Sequence, residues 1–361
     1  MTAHQGSLVT VIGAYGHTGR FVVAELLRRG LVPILSGRDP QRLAVFGKLY
    51  PELETRPATV DDPGSLDRAL AGAAAVINCA GPFASTAAPV IDAALRAGVP
   101  YLDVTAETEV VLDTIAAYGD RVREAGGLVV PAVAFYGGLG DLLATAAVGD
   151  WKTSDEKTSD GKTSDGKTAD RISIAYALSD WRPTGGTRVT GQVSAGRRSG
   201  GRILYADGRL QARSGDAPRA DWAFPEPIGV RPVVGEFTMA DSATIPTHLS
   251  VPDIDTCMTL NAVEDLRSAD TSGPVAVDDS GRSAQTFLVE VVATRNGETR
   301  RAVASGQDIY AVTAPLVVEA VRRVLADPHR PSGVVTAGAL ADARDFLTAL
   351  APGHLTLDLT N

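Results

Sequence analysis

The residues with the clearest chemical consequence form the run Gly13-Ala14-Tyr15-Gly16-His17-Thr18-Gly19. Glycines spaced at every third position follow an apolar, β-branched stretch (Leu8 to Ile12) and open a helix-like one (Thr18 to Arg29). In that context a glycine turn is expected to bind a dinucleotide, with a purely structural turn as the alternative. Gly13 permits the tight turn, Gly16 lets backbone approach a pyrophosphate, and Gly19 lets helix pack closely on strand. The helix N-terminus then offers free N–H groups and partial positive charge to the phosphates. Tyr15, His17 and Thr18 fill the turn and share its assignment to the cofactor.

A second cluster ends the next apolar stretch, Leu35-Ser36-Gly37-Arg38, with Arg42 one turn later. Enzymes that use NAD place an acidic residue here for the ribose 2′-hydroxyl. A hydroxyl and guanidinium groups suit a 2′-phosphate instead, so Ser36, Gly37, Arg38 and Arg42 point to NADP(H). The alternative makes Arg38 and Arg42 ordinary solvated residues and the cofactor NAD. Asp61 reaches the adenine end of the cofactor, or else Asp61 or Asp62 caps the helix that starts near Pro63.

Further candidates sit where later strands end, because parallel sheets bind ligands at the carboxyl ends of their strands. Cys79, Ala80, Gly81 and Pro82 are assigned to the nicotinamide ribose. Cys79 reads as a small buried hydrophobe rather than a nucleophile. Asp103 and Glu107, at alternate positions in Tyr101-Leu102-Asp103-Val104-Thr105-Ala106-Glu107, are candidates to orient substrate or relay a proton, with helix capping as the competing role. Tyr136, set among glycines, is the candidate proton donor, with packing or stacking as its alternative. A lone His248 carries no assignment, and no Cys/His cluster predicts a metal.

These residues need a frame. Strand-like and helix-like segments alternate through about residue 130, with predicted strands at 8–12, 32–35, 53–60, 74–78, 101–104 and 128–130. The helical segments between them are long enough for crossovers, so the fold class is α/β with a doubly wound parallel Rossmann sheet over 1–137. Beyond residue 138 short strands near 171–177, 202–206, 229–234, 256–260, 286–294 and 301–305 predict a second α/β domain of mixed or antiparallel sheet spanning 138–310. Amphipathic segments at 312–326 and 339–350 predict a C-terminal unit, 311–361, that packs back on the first domain. The stretch 152–170 repeats a polar five-residue unit and reads as a solvated insert.

Composition limits the partners. The chain of 361 residues is 44% hydrophobic and 21% charged, an ordinary globular balance. Its net charge of −9 and the lack of a basic run argue against nucleic acid. No apolar run is long enough for a membrane span, and the N-terminus lacks a secretory signal. Cys79 and Cys257 are too few and too far apart for a disulfide framework, which fits a reducing cytoplasm. A small-molecule substrate is the expected partner, and a homodimer is allowed for.

Taken together, VIGAYGHTGRFVVAELLRRG, LSGRDPQRL, AVINCAGPF, PVIDAALRAGVPYLDVTAE and AFYGGLGD resemble the saccharopine dehydrogenase-like family. The resemblance covers about the first 145 residues well and the C-terminal helices loosely. It implies a Rossmann domain, a second domain with a mixed sheet, and NADP(H). Such relatives act on C–N bonds of amino acids or reduce C=C bonds in lipid and natural-product pathways. Ala106 replaces a glycine usual in that family, and AFYGGLGD departs from its usual turn, which suggests a branch in specialised metabolism. The expected function is an NADPH-dependent oxidoreductase reducing a C=N or C=C bond of a small molecule. The alternative is a non-catalytic NADP(H)-binding sensor or assembly protein.

Overall fold

The computed structural model describes residues 6–153 and 167–359. Most of the polar repeat assigned to 152–170 therefore lies outside the described residues.

Strand and helix alternate as β1 (Leu8–Ile12), α1 (His17–Arg28), β2 (Val32–Gly37), α2 (Pro40–Gly47), β3 (Thr55–Pro57), α3 (Pro63–Leu70), β4 (Ala75–Asn78), α4 (Phe83–Ala97), β5 (Tyr101–Asp103), α5 (Thr108–Glu124) and β6 (Leu128–Val130). Local chemistry sets several boundaries. Asp39 accepts from the N–H groups of Gln41 and Arg42, with Pro40 at the first helical position, so α2 starts there. Gly98, at φ +67°, ends α4 in the left-handed conformation. The third strand is shorter than the expected 53–60, because Pro57 donates no ladder hydrogen bond.

A turn over Phe135–Leu139 leads into α6 (Gly140–Val148). Then come β7 (Arg171–Leu178), α7 (Gly185–Arg197), β8 (Arg202–Ala206), β9 (Arg209–Arg213), β10 (Arg219–Ala223), β11 (Val230–Val234), α8 (Asp241–Thr244), β12 (Asp253–Thr259), α9 (Leu260–Arg267), β13 (Thr286–Arg295) and β14 (Glu298–Gln307). The chain closes with α10 (Ile309–Ala326), β15 (Gly333–Val334), α11 (Ala337–Leu340), α12 (Ala343–Thr348) and β16 (Thr356–Asp358).

Among the described residues the first sheet has seven strands, ordered β15-β6-β5-β4-β1-β2-β3. Its pairings are parallel throughout. The order reverses between β1 and β4, and in such a sheet the crevice at that switch point receives the ligand. The second sheet has nine strands: seven along the path β10-β11-β12-β7-β13-β14-β16, with β8 paired to β12 and β9 paired to β8. It is mixed: β12 runs parallel to β7, while β13 runs antiparallel to both β7 and β14.

The two sheets are locked together. Helix α10 packs along α1, where Glu319 takes an ion pair from Arg29. Strand β15 extends the first sheet, but β16 pairs with β14, so the chain ends in the second sheet. The helix expected over 339–350 is two short ones, because Asp342 accepts from the N–H of Asp345 and starts a new helix. Helix α7 was not expected: four of its thirteen residues are glycine, which hides a helical pattern.

Candidate active site

The carboxyl ends of β1, β2, β4 and the turn after β6 open onto a cleft of about 680 Å³, a size ordinary for small-molecule and cofactor sites. At one end lies the glycine turn. Gly13 has φ +83°, and a Cβ there would stand 3.0 Å from the backbone of Cys79 and Ala80. A Cβ on Gly16 would meet the Gly13 carbonyl at 3.0 Å, and one on Gly19 would meet it at 2.2 Å. Turn, helix and the β4 loop thus touch backbone to backbone, leaving the first turn of α1 bare toward the cleft. Gly16, His17 and Thr18 line it, whereas Gly19 lies beneath, closing the helix onto the turn.

The neighbouring wall comes from β2 and α2. The Tyr15 ring lies on Gly37, where a Cβ would be 2.4 Å from the ring edge, and the Tyr15 hydroxyl accepts from the Asp39 N–H. Arg42 places its guanidinium 4.8 Å above that ring. Arg38 is exposed on the cleft and makes no hydrogen bond or ion pair among the described residues. Ser36 departs from the sequence expectation. It is fully buried and donates to the Arg56 carbonyl of β3, so its hydroxyl does not face a 2′-phosphate. Asp61 lines the cleft and takes a bond from the Thr59 hydroxyl, while Asp62 sits at the N-cap of α3 without a side-chain cap bond.

The loop after β4 brings Cys79, Ala80, Gly81 and Pro82 to the cleft. Asn78 shapes it: its carbonyl accepts from the Ala80 N–H and its amide donates to Thr86 and Tyr101. Burial pushes the Cys79 thiol far above its ordinary range, so it carries no thiolate at neutral pH.

Asp103 and Glu107 are both buried. Neither lines the cleft. Asp103 Oδ1 accepts from the N–H groups of Thr105 and Ala132, and its Oδ2 accepts from the Tyr101 hydroxyl. Glu107 accepts from the N–H groups of Phe83 and Ala84 at the start of α4. Burial raises the Asp103 carboxyl to about 6 against these donors, which lower it. Asp103 ties the ends of β5 and β6 together, and Glu107 ties the β5 loop to α4.

The far end of the cleft is built by residues widely separated in sequence. Tyr136 contributes its ring, with Trp181 at 5.6 Å and Phe135 at 4.8 Å between centroids. The Tyr136 hydroxyl is buried and has no hydrogen-bond partner in the described structure. Gly137 makes the turn, at φ +97° with its would-be Cβ 2.9 Å from Ala240. Helix α7 begins at the cleft, and its cap residue Thr184 donates its backbone N–H to the Tyr310 hydroxyl. Tyr310 also receives the Trp181 ring N–H and lies edge-on to His17. The sequence reading missed Trp181, Tyr310 and α7. Two signals were present: the run Trp181-Arg182-Pro183-Thr184-Gly185-Gly186, and the cap Asp308, which accepts from the N–H groups of Tyr310 and Ala311 at the start of α10.

Behind Tyr136 lies a buried carboxyl. Asp241 accepts from the Tyr176 hydroxyl at 3.0 Å through Oδ1, and its Oδ2 has no partner. Burial lifts its carboxyl from 3.8 to about 7, and the nearby Asp141, itself bonded to His248 at 2.7 Å, pushes the same way. A folded chain that keeps this proton where the unfolded chain has released it is favoured by acid. Stability is therefore expected to fall as pH rises from about 4 to about 7, and Asp241→Asn, with no proton to lose, is expected to remove that slope. Urea denaturation of both proteins near pH 5 and near pH 8 measures it, and equal slopes would refute the buried acid.

Among the described residues no helix is long and apolar enough to cross a membrane, and no group of three His, Cys, Asp or Glu side chains is placed to hold a metal.

Residues 9–130 match the family model of the saccharopine dehydrogenase NADP binding domain. A probable mitochondrial saccharopine dehydrogenase-like oxidoreductase of Arabidopsis thaliana is 33% identical over 35% of this chain and 31% of its own. A trans-acting enoyl reductase of Mycobacterium ulcerans is 30% identical over 35% of this chain and 32% of its own. The similarity thus spans about a third of these curated relatives' length. The saccharopine dehydrogenase (L-Glu forming) of Saccharomyces cerevisiae superposes over 99% of this chain and 100% of its own, with a TM-score of 0.66 at 12% identity, so the two share a fold.

Proposed function

We propose, for a chain whose residues 9–130 are a saccharopine dehydrogenase NADP-binding domain, an NADPH-dependent reduction of a C=N or C=C bond in a small molecule. One observation carries this reading. One cleft extends from the glycine turn to Tyr136, whose buried hydroxyl has no partner among the described residues. A binding module would need the first end of that cleft but not the second.

The cradle suits the nucleotide, since a Cβ at Gly13, Gly16 or Gly19 would fill it or force the turn open. When bound, NADPH supplies a hydride to an electrophilic carbon. The glycine turn and the first N–H groups of α1 hold the pyrophosphate. Arg38 and Arg42 hold the 2′-phosphate, the first free and the second stacked on Tyr15. The loop Cys79–Pro82 borders the nicotinamide ribose, held in shape by Asn78 and Glu107. Tyr136 donates the proton, and the rings around it keep water out. The free Cys79 and Cys257 suit a reducing compartment such as the cytoplasm.

Fluorescence titration with NADPH and NADH tests the premise. NADPH is expected to bind at least about tenfold more tightly, a preference worth about 1.4 kcal/mol. Arg38→Ala is expected to lower NADPH affinity and leave NADH affinity unchanged. Equal binding of both nucleotides by the unaltered protein would remove the 2′-phosphate assignment. NADPH that binds tightly but is never oxidised across a panel of imines and enones would favour a sensor.

A further inference from the structure

We propose that helix α7 is a lid on the nucleotide cleft, held shut by Glu109 of α5 and built to loosen as a helix so that the nucleotide enters and leaves. This goes beyond the reductase reading above and rests on its premise that NADPH occupies the cleft.

Helix α7 leaves the second sheet after β7 and returns to it at β8, yet it lies along the first domain. Gly185, Gly186, Val189 and Thr190 line the cleft. The Thr190 hydroxyl stands 2.9 Å from the position of a Cβ on Gly81, so the middle of α7 rests on the loop after β4. The N–H groups of Gly185 and Gly186 and the Thr190 hydroxyl bond to nothing among the described residues. They are free to meet whatever lies beneath the closed helix.

The helix itself is weak. At Gly185, Gly191 and Gly196 a Cβ would meet nothing within 4 Å, and at Gly186 it would meet only the Thr184 hydroxyl, at 3.6 Å. No close approach requires glycine here, in contrast to Gly13 and Gly19. Each of these glycines disfavours the helical state about fivefold relative to alanine. Ser194 is the one buried residue of α7, so no apolar face compensates. Polar bonds are left to keep the helix formed and in place.

Those bonds converge on a latch. The buried Glu109 accepts from the Ser194 hydroxyl at 2.6 Å and from the Arg198 guanidinium at 2.8 Å. Arg197 pairs with Asp113 one turn further along α5. At the other end, Thr184 and Thr187 bond the Tyr310 hydroxyl. The chain is anchored again just outside α7: Trp181 is buried and donates its N–H to Asp265, and Leu204 is buried in β8. Between the helix and β8, Ser199 and Gly200 make a joint at φ +50° and +74°. The strap between the anchors therefore moves without disturbing either sheet, and water replaces the polar bonds it gives up.

The latch is made in the free and the loaded protein alike, so it sets how often the cleft opens rather than how tightly it holds. Stopped-flow fluorescence reads both rates: association on mixing with NADPH, and release when the loaded protein is chased with excess NADP⁺. Glu109→Gln is expected to raise both rates about tenfold. Gly191→Ala combined with Gly196→Ala is expected to lower both about tenfold, and in each protein the dissociation constant is expected to change less than about threefold. Unchanged rates in both variants overturn the proposal. So does a change confined to release, which is what a fixed wall would give. Hydrogen exchange of the nucleotide-free protein reads the opening without any ligand. Amides of α7 are expected to exchange about tenfold or more faster than those of α4 and α5, and to slow in the double alanine variant. Protection equal to that of α4 and α5 overturns the lid. Fast exchange in α7 of a protein that binds neither NADPH nor NADP⁺ would remove the nucleotide reading and leave α7 a lid on that cleft.

Discussion

Gly19→Val is expected to abolish NADPH binding, by about a hundredfold or more, and to lower stability by about 1–3 kcal/mol. A Cβ at residue 19 would stand 2.2 Å from the Gly13 carbonyl oxygen and 3.0 Å from that of Ala14. Both are backbone atoms of the turn, so no side-chain rotation relieves the clash. Either α1 lifts away or the turn opens. In both cases the N–H groups at the start of α1 would no longer converge where a pyrophosphate would lie against the Gly13 turn. Gly72→Ala is the matched control. It has φ +73° but nothing within 4 Å of a built Cβ, so it is expected to cost about 1–2 kcal/mol of backbone strain while leaving nucleotide affinity unchanged. Titration and urea denaturation of the two variants separate the effects. A Gly19→Val protein that binds NADPH normally would show that the close approach is dispensable, and the cradle argument would fail with it.

The glycine-turn end of the cleft was legible because everything it needs is local. A β-branched strand, a glycine turn and a helix N-terminus follow one another within Leu8–Arg28, and the basic residues follow the very next strand. Alternation of strand and helix likewise carried the parallel sheet. What failed was anything decided by a distant partner. Ser36 stands beside Arg38 in sequence, yet its hydroxyl goes to the carbonyl of Arg56 on the adjoining strand. The far end of the cleft draws Tyr136, Trp181 and Tyr310 from three separate elements, and no period in the sequence joins them. Helix α7, which forms part of that end, is rich in glycine and buries little but Ser194. It is held by tertiary bonds instead: Ser194 and Arg198 both bind Glu109 of α5.

Asp103 is the sharpest case, because the same residue in the same sequence serves equally as an acid–base group or as a strut. The two roles predict opposite behaviour for two substitutions. As a strut, Asp103 has to accept hydrogen bonds: two backbone N–H groups, of Thr105 and Ala132, and the Tyr101 hydroxyl. Asp103→Ala leaves these buried donors unpaired and is expected to cost about 3–5 kcal/mol, as breaking a buried charged network does. The ends of β5 and β6 would part, and Ala132, held at φ +56° beside that carboxylate, would lose the bond that keeps its strained turn. The turn carrying Tyr136 follows directly, so NADPH binding and any turnover fall with the fold. Asp103→Asn keeps one oxygen for the two backbone N–H groups and loses chiefly the acceptor for Tyr101. It is expected to cost about 1–2 kcal/mol and to retain nucleotide affinity. An acid–base residue would behave the other way, with the asparagine protein stable and fully loaded but silent by a factor of about a hundred or more. Thermal melts of both variants, NADPH titration, and NADPH oxidation with whichever substrate the screen yields together decide between them. A well-folded, inactive Asp103→Asn protein would return Asp103 to the chemistry, despite its full burial and its absence from the walls of the cleft.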